Sequence, residues 1–200
     1  MLETRRHVAQ LRGAVVATCA LTLLCGAAFP AAVWGVAQLF PDNAHGSLVA
    51  VDGTPRGSRL IGQRFRSPGY FHGRPSAAGD GYDASLSGGT NLAVDNPKQL
   101  AVLDERRATY RTVNQLPAGA AVPADAITAS GSGLDPHISP ENAAAQAPRV
   151  ARARGIAVER VTALIAAHTE GRTLGVIGEP RVDVLGLNLA LDRLAPTGPR

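Results

Sequence analysis

His72, Asp80, Asp83, Asp135 and His137 are the side chains of this sequence whose types suit metal binding or proton transfer. Asp135 and His137 stand two apart with Pro136 between them, which fixes a turn but supplies too few ligands for a site. There is no His-Glu-x-x-His string, and the serines, histidines and aspartates lie in no recognised nucleophile context. These groups are expected instead to hydrogen-bond loops to one another, with Arg74 and Arg149 as multidentate donors. Arg74 precedes Pro75, so its backbone is biased to extended, and its five N–H groups can tie several carbonyls together. Leu86-Ser87-Gly88-Gly89-Thr90 offers other chemistry, because glycines admit an anion close to the backbone and free N–H groups can bind it. Five residues of commonplace composition weigh more as a rigid structural loop. A phosphate loop ending in Gly-Lys-Ser/Thr is absent, as is an aspartyl-phosphate motif. Lys98, the sole lysine, follows a proline with no glycine-rich approach. No catalytic residue and no metal ligand set is assigned.

What must position these residues begins with a membrane segment. Between Arg12 and Asp42 the chain runs 29 residues without a charge, long enough to cross a hydrocarbon core of roughly 30 Å with some tilt. The expected division is residues 1–12 inside the cytoplasm, 13–40 as one transmembrane helix, and 41–200 as a single domain outside. Arg5, Arg6 and Arg12 against Glu3 favour that orientation, and Trp34 and Phe40 sit where interfacial aromatics belong. The rival is a cleaved secretory signal, with residues 14–25 as its apolar part and Gly26, Ala27 and Ala28 as a cleavage zone. Against it, apolar sequence continues from Phe29 to Phe40. A lipoprotein is weaker still, because neither Cys19 nor Cys25 follows the very small residue that its processing wants.

Both cysteines lie within the apolar segment, so the outer domain has no disulfide and must rest on its core. Beyond the span the chain holds 17 basic and 15 acidic residues, too balanced to suggest nucleic acid. With four Phe, three Tyr and one Trp, that core must be built mainly from Ala, Val, Leu and Ile.

Ser47–Val51 predicts a strand and Asp52-Gly53 a turn, followed by a short apolar patch at Leu60–Gln63 that Phe65 extends. Ser67–Asn96 is dominated by Gly, Ser, Pro, Asn and Asp, and predicts an ordered polar loop pinned by Tyr70, Phe71 and Tyr82. Asn96-Pro97 starts a helix whose stripe is Leu100, Leu103, Tyr110 and Val113, ending before Pro117. Val122–Ile127 is ambiguous, and Ser130–Pro140 predicts a second rigid polar loop. Ser139-Pro140 caps the next helix, with Asn142 where a full capping box would have Glu or Gln. Pro148 is expected to kink or break that helix and Gly155 to end it. Val158, Val161, Leu164 and Ile165 form a third helical stripe that Gly171 stops. Val182-Asp183-Val184 alternates as a strand, and Leu187, Leu191 and Leu194 follow at helical spacing. The fold class is α+β, with a small sheet and three or four helices after one N-terminal span.

The loops together carry a family resemblance. Gly57–Gln63, Tyr70-Phe71-His72-Gly73-Arg74-Pro75-Ser76-Ala77 and Ser87-Gly88-Gly89-Thr90-Asn91-Leu92 look like the KdpC family. The match continues through Ser130–Pro140 (with Ser132, Gly133, Asp135, Pro136 and His137), Gln146-Ala147-Pro148-Arg149-Val150, and Gly178–Leu185. The resemblance implies the C subunit of the bacterial high-affinity potassium-transporting P-type ATPase, in the cytoplasmic (inner) membrane. Implied partners are a potassium-channel-like subunit, a P-type pump subunit and a small one-span subunit, beside the lipid bilayer. It implies an accessory role in assembly or stability, and a described effect on the pump's ATP affinity. ATP, Mg and potassium are used by the complex, with no cofactor bound directly by this chain. Arg74, Pro75, Ser76, Ser87, Gly88, Gly89, Asn91, Ser132, Gly133, Asp135, Pro136, His137, Gln146, Arg149 and Asn188 are the implied motif residues, structural or interfacial in role. Ser87, Gly88, Gly89 and Thr90 also resemble the Leu-Ser-Gly-Gly string with which transporter ATPases touch phosphate, but a domain outside would never meet ATP. Two departures are visible: Thr90 where the family more often has Ser, and Asp183 where it has Asn. The second loses two donors and puts in doubt any partner bond that needed an N–H. The alternative function is an independent membrane-anchored extracytoplasmic enzyme.

Overall fold

The structure, a computed structural model, describes residues 2–195, with side chains from Arg6 onward. Met1 and residues 196–200, at the two ends of the expected division, lie outside the described residues, as does the side chain of Arg5. The chain falls into two compact units that divide between Ser47 and Leu48.

The first unit is helical. Helix α1 (Leu2–Leu23) passes through a π turn (Leu24–Ala28) into α2 (Phe29–Ala37), and a one-turn α3 (Pro41–Ala44) follows. Within this run Arg6–Ala37 is long and apolar enough to cross a membrane. The helix therefore starts well before residue 13, since the polar first turns are helical too, and it is not uniform. Pro30 has no N–H, and the chain accommodates it by widening the preceding turn so that the Phe29 N–H reaches back five residues to the Leu24 carbonyl.

The second unit opens with a hairpin of β1 (Leu48–Val51) and β2 (Thr54–Ser58). Asp52 (φ 52°) and Gly53 (φ 72°) are both left-handed, the combination a tight two-residue hairpin turn requires. Val49 pairs with Gly57 and Ala50 with Pro55, so Arg56 is the extra residue of a bulge. A strap of irregular chain, residues 59–96, leads to α4 (Pro97–Asn114). Asn96 caps α4 by accepting the Lys98 N–H at 2.9 Å. A 3₁₀ turn (Ala124–Ala126) precedes β3 (His137–Ile138), α5 (Pro140–Arg154), α6 (Val158–Ala167), β4 (Thr169–Glu170), β5 (Arg181–Asp183) and α7 (Val184–Leu194). The small sheet has the order β3-β5-β4, antiparallel throughout. The predicted α+β class stands, with four α-helices in this unit among the described residues.

Its core lies among α5, α6, α7 and β5, where Phe71, Val150, Val161, Val182, Leu187 and Leu191 have no exposed surface. Aliphatic residues dominate, as the poverty in aromatics requires. The strap contributes Phe71 at the centre and Tyr70 at the edge, so its aromatics do pin it. Four local expectations need correction. Helix α5 does not break at Pro148 but continues to Arg154, because both Pro148 and Ala144, whose carbonyl the missing N–H would have met, are exposed to water. Helix α6 ends at Ala167, before Gly171, because the chain turns into β4. The 130–140 loop contains β3, two residues long and therefore without a period to read. Val184 is the first residue of α7 and not the last of a strand, because Asp183 accepts the Leu185 N–H at 3.0 Å and caps the helix there.

Candidate functional site

Helix α5 exposes one polar stripe to the strap. Asn142, Gln146 and Arg149, at i, i+4 and i+7, are all buried, where an amphipathic helix would ordinarily carry apolar residues. Gln146 reads the backbone of His72 from both sides: its Oε1 accepts the His72 N–H at 2.8 Å and its Nε2 donates to the His72 carbonyl at 3.0 Å. Asn188 of α7 does the same to Phe71, at 2.8 and 2.9 Å. An irregular segment whose backbone would be buried without a ladder is thus paired by two amide side chains, as buried peptide groups must be.

Arg149 completes the stripe. Its Nε donates to Asn114 Oδ1 (2.9 Å), Nη1 to the carbonyls of Pro68 (2.5 Å) and Tyr70 (3.0 Å), and Nη2 to Gln146 Oε1 (2.7 Å). Burial draws its pKa down to about 10, still far above neutral, so it remains a cation. Arg154 holds the next stretch, donating to Gly69 O (2.6 Å), Ala195 O (2.8 Å) and Asp192 Oδ1 (2.9 Å), with its guanidinium 4.7 Å from the centre of the Tyr70 ring.

A second cluster ties the strap to the 128–137 segment. Arg74 Nη1 donates to Asp135 Oδ2 at 2.9 Å, and its other N–H groups approach Thr128 and Ala129 oxygens at 3.5 Å. Asp135 Oδ1 accepts the His137 N–H at 3.0 Å. Burial alone would raise the Asp135 carboxyl; the bonds from His137 and Arg74 reverse this and hold it below its ordinary range. Ser76 Oγ donates to Gly133 O at 2.6 Å and accepts the Tyr82 N–H at 2.7 Å. The Ser87–Thr90 string lies against the same loop. Ser87 Oγ donates to Ser132 O at 3.0 Å, and the Gly88 N–H takes that same carbonyl at 2.9 Å. Gly133 is left-handed (φ 67°), and a side chain there would sit 2.6 Å from the Gly88 carbonyl. The close approach of two backbones is what these glycines permit.

Between the strap and α4 lies a groove of about 570 Å³. Arg64, His72, Arg74, Tyr82, Arg106 and Tyr110 are among its walls, with Pro75 and Ser76. His72 is held neutral, its pKa lowered by burial and by the Arg149 charge. Burial raises both tyrosines, Tyr82 to about 12. Asp80 reaches the groove; Asp83, Asp135 and His137 do not line it, so the five chemistry-bearing residues are not gathered in one place. Among the described residues no three His, Cys, Asp or Glu side chains stand close enough to share a metal ion. Pro136 offers its carbonyl to the Val184 N–H at 3.1 Å, whereas Thr90 and Asn91 lie in exposed chain.

Several members escape a reading of the sequence. Asp125 gathers the Ser139 N–H (2.7 Å), the Ser139 hydroxyl (2.8 Å) and Asn142 Nδ2 (3.0 Å), and Tyr110 donates to Asn142 Oδ1 at 2.8 Å. Tyr110 and Asn114 are four apart on α4, and Asn142, Gln146 and Arg149 share a face of α5. That helical spacing of polar residues is the signal that could have found them.

The family described as K+-transporting ATPase, c chain (KdpC), matches residues 11–193. A Mycobacterium tuberculosis protein named "Potassium-transporting ATPase KdpC subunit" is 54% identical over 186 residues, covering 92% of this chain and 98% of its own. A Caulobacter vibrioides protein of the same name is 54% identical over 191 residues, covering 94% and 95%. A third, from Kineococcus radiotolerans, is 53% identical over 182 residues, covering 91% and 90%.

Proposed function

The chain belongs to the KdpC family, an accessory subunit of a potassium-transporting ATPase and no enzyme alone, and we propose that it braces that complex from outside the membrane. Family membership leaves the alternative of an independent enzyme without support. The observation that carries the brace is that Arg74, Ser76, Gln146, Arg149 and Asn188 spend their donors and acceptors on holding the strap. Side chains so occupied make a rigid surface and are poorly placed to turn over a substrate.

Residues 13–40 are the span, 1–12 lie inside and 41–200 outside, a placement supported by the basic N-terminal flank. The partners are the channel-like subunit, the pump subunit and the small one-span subunit of the complex, with lipid around the span. Influence on ATP affinity is indirect, through different contacts with two states of the pump; about 1.4 kcal/mol of such difference changes an apparent affinity tenfold. Within Ser87, Gly88, Gly89 and Thr90, the first two serve the loop contact with Ser132, which already uses the Gly88 N–H that a phosphate would need. Deleting this chain should abolish purification of an intact, potassium-stimulated ATPase. A fully active complex lacking it overturns the proposal.

A further inference from the structure

The wide turn in the membrane helix leaves backbone oxygens without donors. The Phe29 N–H goes to Leu24 alone, and Pro30 has none to give. Helix α2 starts from Ala28, whose carbonyl takes the Ala32 N–H by the ordinary four-residue rule. Three carbonyls, those of Cys25, Gly26 and Ala27, therefore face one remaining donor, the Ala31 N–H. Ala31 is four residues from Ala27 and five from Gly26, both within helical reach. It is six from Cys25, which is not. The Cys25 carbonyl is thus left over, together with one of the other two.

No side chain of this helix can fill the gap. Residues 26–33 are Gly, Ala, Ala, Phe, Pro, Ala, Ala and Val, with no donor among them. Thr22 and the Cys25 thiol lean toward the N-terminus and serve carbonyls a turn earlier. These oxygens lie near the middle of the apolar segment, where there is no water to take them and each costs several kcal/mol unpaired. Gly26 has no side chain, nothing stands within 4 Å of where one would be, and Ala27 and Ala28 beside it are small, so the backbone is open to a neighbour.

We propose that the Cys25–Ala27 carbonyls are the docking point for a partner transmembrane helix that presents a hydroxyl or amide donor at mid-membrane depth. The proposal rests on residues 13–40 spanning the bilayer. A second copy of this chain does not qualify. A parallel symmetric pair sets like depth against like, and residues 24–28 carry no oxygen or nitrogen donor in any side chain.

The composition supplies a single-site probe, because Cys25-Gly26 is the only Cys-Gly pair in the sequence. Labelling cysteine with ¹³C at the carbonyl and glycine with ¹⁵N isolates the Cys25 carbonyl by solid-state NMR. In the purified complex in lipid its carbonyl shift should report a hydrogen bond, and in the chain alone in the same lipid a free carbonyl. A free carbonyl in both samples, or a bonded one in both, overturns the docking. Disappearance of the Cys-Gly signal from mature protein whose intact mass begins near Phe29 overturns the span itself. Pro30→Ala, which restores the missing donor, should cost several-fold in co-purified partner while membrane insertion is unchanged; unaltered co-purification also overturns the docking.

Discussion

An arginine only 5% exposed, with no carboxylate paired to it among the described residues, would ordinarily lose several kcal/mol in hydration. Arg149 recovers this from four oxygens. Arg149→Ala should therefore destabilise the protein by about 3–5 kcal/mol, since it strands buried acceptors, and Arg149→Lys by about 2, since an ammonium cannot fork to Asn114 and Gln146 together. Urea unfolding of the detergent-solubilised chain measures both; near-equal losses would mean that charge, and not the fork, holds the strap. Two titrations act on the acid side. His72 resists its proton when folded, so its contribution is complete above its ordinary value of 6.5 and drains away as pH falls below it. Asp135 keeps its charge more firmly when folded, so its contribution is complete above 3.8 and is lost only as pH drops further. His72→Gln should flatten the stability profile just below pH 6.5 while leaving the loss that sets in below pH 3.8; a wild-type slope just below pH 6.5 would contradict this. Asp183 accepts the Leu185 N–H with its side chain, and a carboxylate suits the start of α7.

Among the elements, α4 and α5 were legible because their starts have mechanisms. Asn96 and Ser139 cap them as expected, and Gly155 ends α5 in the left-handed conformation. Asn96→Ala should cost about 1 kcal/mol, and Ser139→Ala nearer 2, because the Ser139 hydroxyl accepts the Asn142 N–H and also donates to Asp125. Ser139→Ala no worse than Asn96→Ala in the same unfolding assay would show that Asp125 is adequately served by its other two donors. What stayed illegible is what sequence period cannot carry. Strands of two or three residues are set by their neighbours in space, and α5 tolerates Pro148 because of which side faces water. Pro148→Ala restores an intrahelical N–H at an exposed position, and should stabilise by about 1–2 kcal/mol after the lost stiffness of the unfolded chain is subtracted. A loss of stability would reveal contacts of the ring that the isolated chain does not show. The strap's anchorage was half visible: Tyr70 and Phe71 declare themselves as buried aromatics, but the amides that pair its backbone sit on helices 70 to 120 residues away.

At the scale of the whole molecule the orientation decides which chemistry is open to the second unit. The two native cysteines are both in the apolar helix, so a single cysteine placed elsewhere is a clean reporter. Glu159 on α6 is exposed and in no ion pair among the described residues, which makes Glu159→Cys a mild substitution. In intact cells with only the outer membrane permeabilised, a charged, membrane-impermeant thiol reagent should modify it fully. The expectation follows from Arg6 and Arg12 on one flank of the span and Asp42 as the first charge on the other, the asymmetry that retains an N-terminus in the cytoplasm. Protection of this cysteine, with labelling only after the inner membrane is breached, would place residues 48–195 in the cytoplasm. The Ser87–Thr90 loop would then share a compartment with ATP, and the exposed Thr90 side of that loop would be the place to look for nucleotide. Labelling from outside leaves that loop to its contact with Ser132, and leaves any effect on the pump's nucleotide affinity to travel through the helix that both sides of the membrane share.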